Sequence, residues 1–242
     1  ARIALPNERP HPSPLVESGP MASVPPPAPT YRPVLPSIVR DEGRISDAQL
    51  ETVIYAGEAH AGMLPAWWTP GEAAHQLGLS REEDEGSVQL RRGFFLGDGT
   101  GCGKGREIAA VIADNMAQGR LKALWLSKND ALLEDARRDW GAIGGGAHDI
   151  LPLSSWKLGE GIRLDRGILF TTYATLRQPA RGEKASRLDQ IVAWLGEDFD
   201  GVIAFDEAHA MANAADQLAA IAPAGAPADQ MGFQQHHGKA LA

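Results

Sequence analysis

Phe94-Phe95-Leu96-Gly97-Asp98-Gly99-Thr100-Gly101-Cys102-Gly103-Lys104-Gly105-Arg106 decides how the rest of the chain is read. Phe94 to Leu96 is a short apolar run with the look of a strand, and Glu107 to Met116 has the spacing of a helix. Between them lies a glycine-rich turn ending in Gly103-Lys104. Strand, glycine turn and helix together form a phosphate cradle. The glycines let backbone N–H groups turn inward, and the helix N-terminus adds its positive dipole end. Lys104 is then expected to reach the β- and γ-phosphates as a point charge. Two positions depart from the usual loop: Asp98 stands five before Gly103 in place of a glycine, and Gly105 replaces the Ser or Thr that normally ligates magnesium. For the loop alone, the competing reading is a glycine-rich turn holding a chance Gly-Lys pair.

Strands and helices alternate after the loop. Ala123 to Leu126, Gly167 to Thr171 and Val202 to Phe205 read as strands, and Ala131 to Trp140 and Ser186 to Leu195 as helices. Continuous apolar strands between amphipathic helices predict an α/β fold, a parallel sheet with helices on both faces. In such a sheet ligands sit beyond the carboxyl ends of the strands. There the run Val202 to Phe205 ends in Asp206-Glu207-Ala208-His209. Asp206 is the expected magnesium ligand, and Glu207 the residue expected to polarise an attacking water. Acids at a helix start are favoured in any case, but a phosphate loop followed by this pair makes the bland reading a poor one.

Before the loop the texture differs. Of the 17 prolines, 11 lie between Pro6 and Pro36, which predicts an extended arm over residues 1–42 and a domain over 43–242. Pro25-Pro26-Pro27-Ala28-Pro29 has the form of a polyproline ligand, but composition favours an arm wrapped over the following domain. Ser46-Asp47-Ala48-Gln49 reads as a capping box opening a helix to about His60. Leu64 to Arg92, with Trp67-Trp68-Thr69-Pro70 and the acid run Glu82 to Glu85, reads as a loop with at most one short helix.

Composition narrows the function classes. With 43% hydrophobic residues the chain can bury a core, and wholesale disorder is excluded. A net charge of −8 rules out a generic polyanion binder, so any nucleic-acid contact needs a local basic patch. One cysteine excludes a disulfide scaffold or a multi-cysteine zinc site, and Cys102 reads as a loop filler. No apolar run approaches the roughly 20 residues that span a bilayer, so no membrane partner is expected. The chain opens on Ala1 rather than Met, and a piece of a longer protein is expected.

Asp206-Glu207-Ala208-His209 is the box of helicase-like superfamily-2 ATPases, and the loop Gly97 to Arg106 resembles that of the strawberry notch family, Gly-Asp-Gly-x-Gly-x-Gly-Lys-Gly-Arg. Both departures from the usual phosphate loop belong to that pattern. Ala123 to Ser127 with Asp135 to Asp139, Gly167 to Tyr173, and Asp198 to Glu207 are similar to further blocks of the family. So are His11-Pro-Ser-Pro-Leu-Val-Glu17 and Ser23-Val-Pro-Pro26 upstream. The resemblance implies a P-loop, RecA-like first domain that binds ATP and Mg2+. It also implies a second RecA-like domain beyond Ala242, so the sheet is expected to be truncated here and the piece alone to hydrolyse ATP poorly. Lys104 and Glu207 would be catalytic and Asp206 the magnesium ligand. Gly99, Thr100, Gly101, Cys102, Gly103, Lys104, Gly105 and Arg106 would hold the phosphates. Gln49 would read adenine, although its place in the capping box explains it equally well. The implied partners are nucleic acid, with DNA favoured over RNA, and a fused or partner DNA methylase. The implied setting is the cytoplasm for a bacterial or phage relative and the nucleus for a eukaryotic one, with a link to DNA transactions or transcriptional regulation. The rival function is a nucleotide-binding scaffold or regulatory module without hydrolysis.

Other candidates fall away. Ser127-Lys128-Asn129-Asp130 mimics a guanine-reading motif but precedes the Asp-Glu pair, which excludes a GTPase. His236-His237 lacks further ligands for a metal. Arg137-Arg138 on a polar helix face stands as a candidate phosphate contact to nucleic acid.

Overall fold

Trp125 and Phe170, two of the largest side chains in the core, sit side by side on neighbouring parallel strands and are each 1% exposed. The computed structural model describes residues 11, 14–15, 28–70, 77–80, 83–99, 101–177 and 186–211. The chain divides into two compact units, Ala1–Asp206 and Glu207–Ala242.

In the first unit, α1 (Ser37–Asp41) and α2 (Asp47–His60) precede strands β1 (Met63–Pro70), β2 (Leu77–Ser80) and β3 (Val88–Arg91). Then follow α3 (Lys104–Ala117), β4 (Lys122–Ser127), α4 (Leu132–Ala142), β5 (Ile150–Pro152) and a 3-10 turn over Leu153–Ser155. β6 (Gly167–Thr172), α5 (Tyr173–Leu176), α6 (Arg187–Leu195) and β7 (Val202–Phe205) complete it. The main sheet has the order β5-β6-β4-β7 with every pairing parallel, the α/β architecture the sequence predicts. β6 is buried along its whole length and β4 at every position after Lys122, which explains their unbroken apolar sequences. One face, with Ala123, Trp125, Ile168 and Phe170, shares a core with α2, α3 and α4. Leu124, Leu126 and Leu169, which alternate with them, are buried too. Lys122 Nζ ties α6 to the base of β4 by donating to the Trp194 carbonyl at 2.6 Å.

Two sequence expectations are corrected. Phe94 to Leu96 is not a strand, and Phe95 is 86% exposed. A three-residue run becomes a strand only when a neighbour supplies the ladder, and among the described residues β7 pairs only with β4. Residues 64–92 are not a loop either. β1 pairs antiparallel with both β2 and β3 in a small sheet of order β2-β1-β3. All of β3 is exposed, so no buried face imprints an apolar alternation on the sequence, and Pro65 and Pro70 add to the disguise. Arg91 and Arg120 both pair with Asp200, the latter at 2.8 Å, which ties this sheet to the start of β7.

The proline-rich segment has no helix or strand over residues 28–36 and is strapped to the domain. The Tyr31 hydroxyl and the Val34 N–H each donate to the Asp114 carboxylate at 2.5 Å, while the Thr30 and Tyr31 N–H groups donate to Glu58 at 2.9 and 2.6 Å. Leu35 and Val39 then enter the core, 2% and 0% exposed. Pro25 to Pro27 and His236-His237 lie outside the described residues. No helix among the described residues is long and apolar enough to cross a membrane.

The second unit is described over Glu207–Met211, where Ala208–Met211 form a 3-10 turn.

Candidate nucleotide site

α3 starts at Lys104 because the glycine before it turns the chain. Gly103 has φ +86°, a left-handed conformation that disfavours any side chain. Lys104 Nζ folds back over the loop, donating to the Asp98 carbonyl at 2.9 Å and the Gly99 carbonyl at 3.1 Å. The Cys102 N–H closes the turn onto the Gly99 carbonyl at 3.4 Å. Gly99, Gly101, Cys102, Gly103, Gly105 and Arg106 are therefore brought together with Lys104, while Thr100 lies outside the described residues.

Gly105, where a hydroxyl side chain is usual, has a local cause. A Cβ there would lie 2.2 Å from Asp139 Oδ2, so the carboxylate of α4 fills the space of a side chain at 105. Burial raises the Asp139 pKa, Arg106 lowers it, and the negative charge of Asp206 raises it. Loop helix and strand-end carboxylate thus share one locality, and α3 packs against β7.

Asp206 is held from three sides. Its N–H donates to the Leu126 carbonyl at 2.8 Å, its carbonyl accepts from the Tyr173 hydroxyl at 2.7 Å, and its Oδ2 accepts from Ser127 Oγ at 3.0 Å. An oriented carboxylate at the carboxyl end of a parallel strand is a hard oxygen donor suited to Mg2+. Glu207 belongs to the second unit, where its φ is +53° and its Oε2 lies 3.2 Å from His209 Nδ1. A residue other than glycine seldom takes that conformation.

Gln49 does two things at once. Its Oε1 accepts from the Ser46 N–H at 3.1 Å, completing the expected capping box, and its Nε2 donates to the Cys102 carbonyl at 3.4 Å. Beside it opens a cleft of about 580 Å³, lined by His11, Arg44, Gln49, Gly103, Arg106 and Asp139 among others. Arg137 and Arg138 are paired within their own helix, to Glu134 at 2.7 Å and Asp135 at 2.6 Å. Tyr173 and Asp139 fall in blocks that resemble the family and Glu107 opens the predicted helix, but their parts at this site escape a reading of the sequence, since only the packing of distant elements gives them a place here.

Glu107, 1% exposed beneath the loop, accepts from Thr52 Oγ1 at 3.1 Å. Burial, and then the negative charge of Asp98, push its pKa up to about 8 from an ordinary 4.5. The folded protein therefore keeps a proton that the unfolded chain releases. The contribution of Glu107 to stability is fullest below pH 4.5 and is lost as the pH climbs to about 8, with a limiting slope of roughly 1.4 kcal/mol per unit. Glu107→Gln removes this titration and is expected to melt higher than the parent at pH 8, with a flatter dependence between pH 5 and pH 8. A parent-like slope in thermal melts would refute the buried proton.

Comparison with known proteins gives the family. A family model described as P-loop containing NTP hydrolase pore-1 matches residues 10–237. Human protein strawberry notch homolog 2 is 40% identical over 206 residues, covering 84% of this chain and 13% of the relative. Protein strawberry notch of Drosophila melanogaster is 37% identical over 212 residues, covering 84% and 11%, and the Caenorhabditis elegans homolog is 36% identical over 212 residues, covering 84% and 10%. The chain thus spans only about a tenth of the length of these relatives. No solved structure matches it. A phosphate loop of this pattern on a parallel α/β sheet, a family match over nearly all of its length and these relatives lead to one conclusion: the chain belongs to the strawberry notch family of P-loop NTP hydrolases.

Proposed function

We propose that this chain is the ATP-binding and ATP-hydrolysing half of a superfamily-2, helicase-like ATPase that depends on nucleic acid, with DNA favoured over RNA. The observation that carries this reading is the glycine loop capped by Lys104 on α3, packed against the strand that ends in the thrice-held Asp206. In this reading Lys104 and the loop N–H groups bind the phosphates. Asp206 holds Mg2+, which when bound screens phosphate charge. Glu207, next in the chain, accepts a proton from the attacking water. That last role rests on the Asp-Glu sequence and on the resemblance. The second RecA-like domain and a DNA methylase are the proposed partners. A scaffold that binds nucleotide without turnover is favoured by one feature, the absence of a hydroxyl at Gly105.

Phosphate release by a protein carrying this domain, with Mg2+ and with or without single-stranded DNA or RNA, separates the two. ATP hydrolysis stimulated by DNA is expected. ATP binding with no release under any of these conditions would favour the scaffold.

A further inference from the structure

His11 lies 91 residues before Cys102 in the chain, yet its Nε2 is 3.1 Å from the Cys102 carbonyl oxygen. A carbonyl only accepts, so Nε2 carries the proton in this contact. Gln49 Nε2 donates to the same oxygen at 3.4 Å. A carbonyl oxygen has two lone pairs, and here two side chains from outside the loop converge on it. Among the described residues no peptide bond is cis, so across the planar Cys102–Gly103 unit the Gly103 N–H points opposite to the carbonyl. Two donors that hold the carbonyl on one side thereby turn that N–H away from themselves. Gly103 is fitted to this arrangement, because a Cβ there would come within 2.6 Å of Gln49 Nε2. His11 and Gln49 both line the cleft beside the loop.

We propose that His11 is a positioning residue of the phosphate loop. By holding the Cys102 carbonyl together with Gln49, it presets the Gly103 N–H for an incoming phosphate, so that triphosphate affinity depends on the seating of His11. This rests on the reading of residues 97–106 as a phosphate loop and adds to it a control from outside the domain's motifs. The ligand class is the polyphosphate itself, whatever base it carries.

The 242-residue chain, titrated by calorimetry with Mg-ATP and separately with Mg-tripolyphosphate, tests the assignment. His11→Ala is expected to weaken both ligands about tenfold, the scale of one hydrogen bond to a charged-ligand site. His11→Gln, whose amide N–H can reach the carbonyl, is expected to restore most of the affinity, whereas His11→Phe is expected to behave like alanine. Melting temperatures without ligand should agree among all four proteins. Unchanged tripolyphosphate affinity in His11→Ala would overturn the proposal, and so would equal weakness of His11→Gln and His11→Ala. Loss of ATP affinity alone would also overturn it, since it would mean a contact to the nucleoside. If the parent bound neither ligand, the phosphate-loop reading itself would fall, an outcome visible before any variant is made.

Discussion

Lys104→Ala is expected to abolish ATP turnover and to weaken triphosphate binding far more than adenosine binding. In the structure the Lys104 ammonium already collects oxygens, the carbonyls of Asp98 and Gly99 at 2.9 and 3.1 Å. Those are the contacts that phosphate oxygens would replace, and a charged oxygen is the stronger acceptor for an ammonium donor. Alanine removes the positive charge and the two bonds that draw the loop together. Adenosine carries no phosphate, so its affinity should change little. Preorganised charge stabilisation at a transferring phosphoryl group is commonly worth about 10²-fold or more in rate. Phosphate release together with parallel titrations of ATP and adenosine checks this, and near-normal turnover by Lys104→Ala would end the phosphate-loop assignment.

Glu207→Gln is expected to leave ATP and magnesium bound while slowing hydrolysis by about 10²- to 10⁴-fold, the usual contribution of a general base. Glutamine keeps the shape of the side chain but cannot take the proton of an attacking water. Its neighbour has a different task. The Asp206 carboxylate is aimed by Ser127 at 3.0 Å, so Asp206→Asn should instead raise the magnesium concentration needed for half-maximal rate. The two variants therefore part in which parameter moves, kcat for one and metal dependence for the other. Parent-like hydrolysis by Glu207→Gln would remove the water-activating role and leave a nucleotide-binding scaffold as the better reading.

Much of the parallel layer was legible from local pattern. β4, β6 and β7 fall where the unbroken apolar runs predict; β4 and β6 are apolar throughout because both of their faces are buried, whereas in β7 Val202 is buried and Ile203 and Phe205 are exposed. The helix from Asp47 was legible from Ser46 and Gln49, whose side chains satisfy N–H groups within the same turn. The exposed sheet of β1 to β3 was not, since its order comes from ladder pairing and not from burial of one face. The same holds in reverse for Phe94 to Leu96, where an apolar run lacks a described partner strand and stays irregular.

The sequence by itself marked the candidate phosphate loop and the Asp206-Glu207 pair, because each is a short run of adjacent residues at fixed spacing, and it pointed to the family through blocks spread along the chain. Only the tertiary structure decided what holds them. Asp139 fills the space above Gly105, Tyr173 and Ser127 grip Asp206, and His11 and Gln49 meet on one carbonyl of the loop. These contacts join residues up to 91 positions apart. No periodicity or motif spans such separations. The packing of separate elements against one sheet creates them, and hydrogen-bond geometry then dictates which atoms can meet.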